Sequence, residues 1–206
     1  MNSKTEKSRK IKSTGKKPHA HNQGPKKRKK ISETYLHNAG LYYLERFASS
    51  SGNFREVMMR KVKRSCMAHP EQDFDACAAM VDALVEKFIN VGLLDDQIYA
   101  RSVVNSLRRR GKSARAIHSH LKSKRLDSAI IEDVLKAFDA ENHETTAQAE
   151  HEAALIFARK KRLGPFRKHE EFDIQKELGK MARAGFSYDT SRTVLNIKNS
   201  DDTSAF

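Results

Sequence analysis

Apolar residues recur along most of this chain at spacings of three and four positions, which is the periodicity of one face of an α-helix. The clearest case is Ile131, Val134, Leu135 and Phe138. Their i, i+3, i+4, i+7 spacing predicts a helix with one buried face. No run alternates between apolar and polar residues with the period of two that strands require. The pattern therefore predicts an all-α protein.

Capping residues and glycines divide the periodic pattern into nine predicted helices. In the best-marked stretch, Gly92 ends one helix, and Asp95 begins the next by accepting N–H groups of its first turn. Gly111 ends that helix, Ser113 caps the following one, and Asp127 caps a third. The other six helices are marked by apolar stripes of the same spacing before and after this stretch.

The nine predicted helices form three sets of three, and the pattern of apolar residues is similar in each set. A shift of about sixty positions sets Val57 over Ile117 and Leu121 over Met181. Such a repeat predicts a curved, elongated array in which each set buries its apolar stripe partly against its neighbours. The predicted boundaries are a tail over residues 1–30 and helical repeats over residues 31–94, 95–142 and 143–200.

The first thirty residues differ from the rest in composition. They hold twelve Lys or Arg and one acid, so they supply +11 of the chain's net charge of +14. Met1 and Ile11 are their only large apolar residues. Such a segment cannot bury enough surface to offset its ordering entropy, so we expect a disordered basic tail.

Several kinds of chemistry find little support in the sequence. There is no apolar run of membrane-spanning length and no secretory signal, so we expect a cytoplasmic protein without membrane contact. Cys66, His69 and Cys77 are candidate zinc ligands, and the spacing of the first two suits zinc. Cys77 lies in an apolar helix, however, and no clear fourth ligand is near, so we expect no metal and no cofactor. Gly111-Lys112-Ser113 matches the end of a phosphate-binding loop, but Ser106 stands where that motif needs its first glycine.

Basic residues concentrate in three segments that we call the basic ridge. The segment from Lys112 to Arg125 contains no acidic residue. A ridge of this kind is suited to DNA phosphates or to an acidic groove on a protein, and an ordinary solvated face is the alternative. The basic ridge comprises Arg60, Lys61, Lys63 and Arg64, then Arg108, Arg109, Arg110, Lys112, Arg115, Lys122, Lys124 and Arg125, and finally Arg159, Lys160 and Lys161.

Two familiar modes of nucleic-acid recognition are disfavoured. Residues 113–138 have a helix-turn-helix layout, but the second helix is acidic and therefore poorly suited to a major groove. Its charged residues are Asp127, Glu132, Asp133, Asp139 and Glu141 against Lys136. The ridge also shows no paired aromatic residues that would indicate a stacking platform for single strands.

Three segments, in order, resemble the motifs of one bacterial family. They are Gly92-Leu93-Leu94-Asp95-Asp96 with Tyr99-Ala100, then Arg110-Gly111-Lys112-Ser113 leading to Ile117 and Leu121, and finally Gly185-Phe186-Ser187-Tyr188-Asp189. The family is RecX, whose members regulate the RecA recombinase, and the resemblance spans roughly residues 31–197. Arg125 departs from the pattern, because the family often has a glycine there, and the basic tail lies outside the pattern.

The resemblance implies a non-enzymatic, curved helical-repeat protein that binds RecA filaments on single-stranded DNA. Members typically suppress ATP turnover, strand exchange and co-protease activity by lying along the filament groove. On this basis we expect a monomeric regulator. The alternatives are a general nucleic-acid-binding protein that acts through its tail and ridge, and a helical scaffold for some other protein.

Overall fold

A computed structural model describes residues 28–168 and 172–196 of the chain. These ranges contain nine α-helices and no strand, which confirms the all-α prediction. The helices are α1 (Glu33–Leu44), α2 (Ser51–Ala68), α3 (Phe74–Asn90), α4 (Asp96–Arg109), α5 (Ala114–Ser123), α6 (Ser128–Asn142), α7 (Thr146–Lys161), α8 (Ile174–Arg183) and α9 (Tyr188–Asn196). A short 3-10 helix (Gly164–Phe166) follows α7.

The predicted caps begin the central helices. The carboxylate of Asp95 accepts the N–H of Ile98 at 2.8 Å, and the hydroxyl of Ser113 accepts the N–H of Ala116 at 3.2 Å. Asp127 caps α6 in the same way. Each cap satisfies a donor that the first turn of its helix leaves without a partner, so the local sequence fixes where these helices start.

The buried apolar side chains form three clusters, one for each set of three helices. The first is built around Phe54 and Phe88, the second around Ile117 and Ile131, and the third around Met181. A succession of small cores, each supported by its neighbours, is what a tandem helical repeat requires. The boundaries proposed for the repeats remain a prediction.

The predicted shift of sixty positions is wrong between the first and second sets. The N-caps of α2 and α5, Ser50 and Ser113, are 63 positions apart. Val57 is only half-buried, and Phe54 is the buried counterpart of Ile117. Because α2 has 18 residues and α5 has 10, no single shift aligns all three helices of the two sets.

The first junction between sets is made by the N-terminus of α2. The hydroxyl of Ser50 donates a hydrogen bond to the carbonyl oxygen of Lys124 at the end of α5. The N–H and the hydroxyl of Ser51 each donate to the carboxylate of Asp96 at 2.7 Å. The N-terminus of the second helix in one set therefore binds both the first and the second helix of the next set.

The second junction repeats this arrangement at the N-terminus of α5. The hydroxyl of Ser113 donates to the carbonyl oxygen of Ala184 at 2.7 Å, and the N–H of Ala114 donates to Oε2 of Glu150 at 3.0 Å. The acceptors again come from the second and the first helix of the following set. The structural repeat thus extends from the helices to the contacts between the sets.

Arg125 forms the turn that joins α5 to α6 although it is not a glycine. Its φ is 62°, in the left-handed region, and the N–H of Leu126 donates to the carbonyl of Leu121 at 3.3 Å. Nε of Arg125 lies 3.1 Å from a carboxylate oxygen of Glu56 in the previous set. A Cβ on Gly52 would lie 2.6 Å from the Cβ of Arg125, so α2 and this turn approach each other closely.

The last residues of the predicted tail pack on the first set. The hydroxyl of Ser65 donates to the carbonyl of Lys29 at 2.9 Å, and Nζ of Lys30 lies 2.7 Å from Glu71. The predicted disorder therefore does not reach residues 28–30. Residues 1–27, and residues 197–200 of the third predicted repeat, lie outside the described residues.

Candidate interaction surface

Arg108 does not belong to the basic ridge, because it is a buried structural residue. Its side chain is 4% exposed, with one guanidinium nitrogen 2.9 Å from Oδ2 of Asp139 and the other 2.7 Å from Oε2 of Glu150. It shares the buried face of α4 with Ala100 and Val104, at spacings of four residues. The helical period thus places Arg108 in the interior, and its prediction as a partner-binding residue is wrong.

Asp139, one of the acidic residues of α6, is only 2% exposed. Burial raises the pKa of its carboxyl above the ordinary value, although the neighbouring Arg108 guanidinium acts to lower it. Asp139 continues the buried stripe of Ile131 and Leu135 at spacings of four residues. Arg108 likewise continues the buried stripe of α4 near its end. Opposite charges at the ends of two apolar stripes are the sequence signal that could have identified Arg108 and Asp139 as a buried pair.

Four other members of the basic ridge meet in one groove between the first and second sets. The groove has a volume of about 470 Å³ and lies between α2 and the end of α5. We call it the junction groove, and it is lined by Tyr43, Phe47, Asn53, Val57, Arg60, Lys61, Arg64 and Lys124. No acidic side chain is among its lining residues, and the ammonium groups of Lys61 and Lys124 have no carboxylate partner within the described residues.

The junction groove contains an aromatic pair that the sequence pattern did not predict. Tyr43 and Phe47 have ring centroids 5.3 Å apart, and Phe47 is 55% exposed. Both residues come from α1 and the turn after it, whereas the cations come from α2 and α5. Since the pairing of aromatic and basic residues arises only when these helices pack together, the order of residues along the chain does not show it.

Positive charge extends from the junction groove along α5. Partial burial, together with the charges of Lys124 and Lys112, lowers the pKa of His120. Burial is the larger cause, and the two lysines add to it because a further positive charge beside them is unfavourable. Lys124 and Lys112 thus act on the same region of the surface.

The other ridge residues are distributed over α2, α4, α5 and α7. Three of them have contacts of their own. Arg125 is ion-paired with Glu56, and the guanidinium of Arg159 lies 5.1 Å from the ring centroid of Phe166. Nζ of Lys160 donates to the carbonyl of Arg110 at 3.1 Å, which brings the ends of α4 and α7 together. The remaining exposed members are Lys63, Arg109, Arg110, Lys112, Arg115, Lys122 and Lys161.

Within residues 28–168 and 172–196, no group of three or more His, Cys, Asp and Glu side chains could hold a metal ion. Burial, followed by the neighbouring Cys66 thiol, raises the pKa of the Cys77 thiol. That thiol is therefore protonated and a poor nucleophile or ligand at neutral pH. None of the described helices combines the length and the apolar character needed to cross a membrane.

Comparisons with known proteins agree with the geometry of the central helices. A family model described as RecX, second three-helix domain, matches residues 95–135, which include α4, α5 and most of α6. The crystal structure of RecX from Lactobacillus salivarius gives a TM-score of 0.56 over 79% of this chain and 94% of that chain, at 22% identity. That likeness shows a shared fold.

Two relatives extend the match to most of the chain. A regulatory protein RecX from Agrobacterium fabrum is 30% identical over 168 residues, which cover 79% of this chain and 82% of the relative. A regulatory protein RecX from Myxococcus xanthus is 40% identical over 177 residues, which cover 84% of this chain and 91% of the relative. The resemblance inferred from the motifs is therefore confirmed, and the chain belongs to the RecX family of regulatory proteins.

Proposed function

We propose that this chain binds filaments of the RecA recombinase on single-stranded DNA and lowers their ATP hydrolysis, strand exchange and co-protease activity. It catalyses no reaction of its own and acts as a monomer in the cytoplasm, where the filaments form. The observation that supports this most is the exposed positive charge along α2, α4, α5 and α7. Membership of the RecX family supports a RecA filament as the partner of that charge.

The buried arginine is paired with carboxylates, whereas lysines that line the junction groove are not, among the residues that the structure describes. Inside, the guanidinium of Arg108 is neutralised by two carboxylates. Outside, Lys61 and Lys124 point into the junction groove without a carboxylate partner in the described part of the chain. Unpaired surface cations raise the local potential and attract a polyanion. A filament on DNA is such a partner, and a tandem repeat can contact several of its subunits.

A titration of the protein into a RecA ATPase assay on single-stranded DNA tests the proposal. We expect ATP hydrolysis to fall at protein concentrations well below that of RecA, because one bound molecule affects several filament subunits. No response at equimolar protein would contradict the proposal.

A second arm separates filament binding from simple coverage of DNA. The protein is added to preformed filaments in the presence of an excess of bare single-stranded DNA. Continued inhibition supports recognition of the filament. Complete loss of inhibition would show that the protein acts only by sequestering DNA, which is the alternative function of a general nucleic-acid-binding protein.

A further inference from the structure

We propose that the junction groove binds single-stranded nucleic acid directly, with a base stacked on the ring of Phe47 and the phosphates beside Arg60, Arg64 and Lys124. The inference deepens the proposed function, on which it rests for its setting. It adds a contact with the strand itself and names the residues that make it.

The aromatic side of the groove is held in place by the fold. Tyr43 packs against the first core, and its hydroxyl accepts a hydrogen bond from the side-chain amide of Asn53 at 3.2 Å. Phe47 lies against Tyr43 with an interplanar angle of 36° and keeps more than half of its surface exposed. An exposed aromatic ring on a fixed neighbour offers a flat apolar surface, and nucleobases stack on such surfaces regardless of their identity.

The basic side of the groove supplies the charges for a phosphate backbone. Arg60 and Arg64 are one helical turn apart on α2, and Nε of Arg64 donates to the carbonyl of Arg60 at 3.2 Å. Neither guanidinium has a carboxylate partner within residues 28–168 and 172–196. The combination of cations that follow a backbone with an aromatic ring that accepts a base is how proteins bind single strands without sequence preference.

The groove is complete before any ligand binds. Lys124 belongs to the second set of helices, and its carbonyl oxygen accepts the hydroxyl of Ser50 at the start of α2. The close approach of Gly52 to Arg125 fixes the same junction. The ligand therefore meets a preformed surface, so little of the binding free energy is lost in ordering the protein.

The chemistry of the groove favours a single strand over other polyanions. In a duplex both faces of each base are stacked on neighbouring bases, so a duplex can engage the cations but not the ring of Phe47. An acidic protein segment can also engage the cations, but its carboxylates do not stack on an exposed aromatic ring. A single strand, whose unstacked bases can lie on the exposed ring of Phe47 while its phosphates contact the cations, therefore fits the groove best.

Fluorescence anisotropy of a labelled oligothymidine with the full-length chain tests the inference without RecA. We expect Phe47→Ala to weaken single-strand binding by roughly 5- to 150-fold, the range for loss of one base stack. The slope of log affinity against log salt should stay the same, because the ring releases no counterions. Arg60→Ala with Arg64→Ala should instead reduce that slope by about 0.7 for each phosphate that the variant no longer neutralises.

Matched variants control for nonspecific effects. Phe74→Ala removes an aromatic ring that is 42% exposed outside the groove, and we expect it to leave binding unchanged. Phe47→Trp should restore binding, because it keeps a stacking surface. If Phe47→Ala lowers the melting temperature, Phe47→Leu provides an apolar side chain that cannot stack and should still weaken binding.

Three results would overturn the inference. One is wild-type affinity of Phe47→Ala and Phe47→Leu for the oligothymidine. Another is an equal loss of affinity for a labelled duplex, which would indicate a purely electrostatic surface. The third is displacement of the strand by polyglutamate at equal charge, which would point to an acidic protein. Each of these results leaves the ATPase test of the proposed function unaffected, so the two failures are distinguishable.

Discussion

One guanidinium nitrogen of Arg108 lies 2.9 Å from Oδ2 of Asp139, and both side chains are at least 96% buried. A second nitrogen of Arg108 contacts Glu150, which also accepts the N–H of Ala114. This network connects α4 to α6 in the second set and to α7 in the third. A buried charge is tolerated only when it is paired, so the network makes the two sets depend on each other.

Arg108→Met should therefore lower the free energy of unfolding by about 3–5 kcal/mol, because it leaves a buried carboxylate without its partner. Urea denaturation measures the change. Arg109→Met is the matched control, since Arg109 is exposed, and it should change stability by less than about 0.5 kcal/mol. Equal effects of the two substitutions would contradict the burial of Arg108.

Reversing two exposed ridge charges, Arg109→Glu with Arg110→Glu, should abolish inhibition of the RecA ATPase while the protein stays folded. Acids at the end of α4 oppose the helix dipole at a cost of about 0.3–1 kcal/mol each, which is small beside the removal of several interface contacts. Lys87→Glu with Lys136→Glu makes the same change of charge at exposed positions outside the ridge and should preserve inhibition. Wild-type inhibition by the ridge variant would show that this part of the ridge is an ordinary solvated face.

Gly52→Ala should destabilise the first junction, because its new Cβ would lie 2.6 Å from the Cβ of Arg125 and 2.7 Å from its carbonyl oxygen. Overpacking of this kind costs about 1–3 kcal/mol. Gly179→Ala provides the control within α8, where the nearest atom is a flexible arginine nitrogen at 3.4 Å. It should be neutral or stabilise by up to about 1 kcal/mol, since alanine favours helix more than glycine does. Thermal unfolding distinguishes the two, and a neutral Gly52→Ala would show that the junction is looser than described.

Stability should fall in acid partly through Glu177. Burial alone would raise the pKa of its carboxyl, but the Arg167 guanidinium and the Gly164 N–H together lower it below the ordinary value. A carboxyl whose pKa is lowered in the folded state adds stability above its unfolded-state pKa, which is about 4.3 for Glu. This stabilisation is lost as the pH falls through the folded-state pKa. Wild type should therefore be more stable than Glu177→Gln at neutral pH, and the difference should shrink below about pH 4.

Urea midpoints of the two proteins between neutral and acid pH measure this difference. Glu132→Gln, at an exposed position of α6, is the control and should follow the wild-type profile. A stability difference between wild type and Glu177→Gln that stays constant at acid pH would contradict the lowered pKa of Glu177.

Deletion of residues 1–27 should weaken binding to bare DNA but leave the melting temperature and filament inhibition unchanged. These residues carry nine Lys or Arg and one acid. Fewer released counterions should flatten the salt dependence for single strands, by at most about 6 in the log–log slope. The deletion spares Arg28–Lys30, which contact the first set. An unchanged slope would show that the tail does not contact DNA.

The features that sequence determined are those whose physical cause is local. Asp95 and Ser113 cap helices because their acceptor oxygens meet N–H groups only three residues further along the chain. The helical period of the apolar residues likewise depends on neighbours within two turns, so the all-α class and the family motifs could be inferred directly. Arg125 is an exception, because it departs from the family pattern and only the structure shows that it adopts the left-handed φ of 62° at the end of α5.

The tertiary structure alone decided which charges are available and what lies beside them. Arg108 and Arg109 are adjacent and chemically identical, yet one is buried by α6 and α7 and the other is exposed. Phe47 and Lys124 are 77 positions apart and share a groove only because Ser50 docks α2 onto the end of α5. Burial and proximity are set by packing between distant segments, and the spacing of residues along the chain carries no measure of that packing.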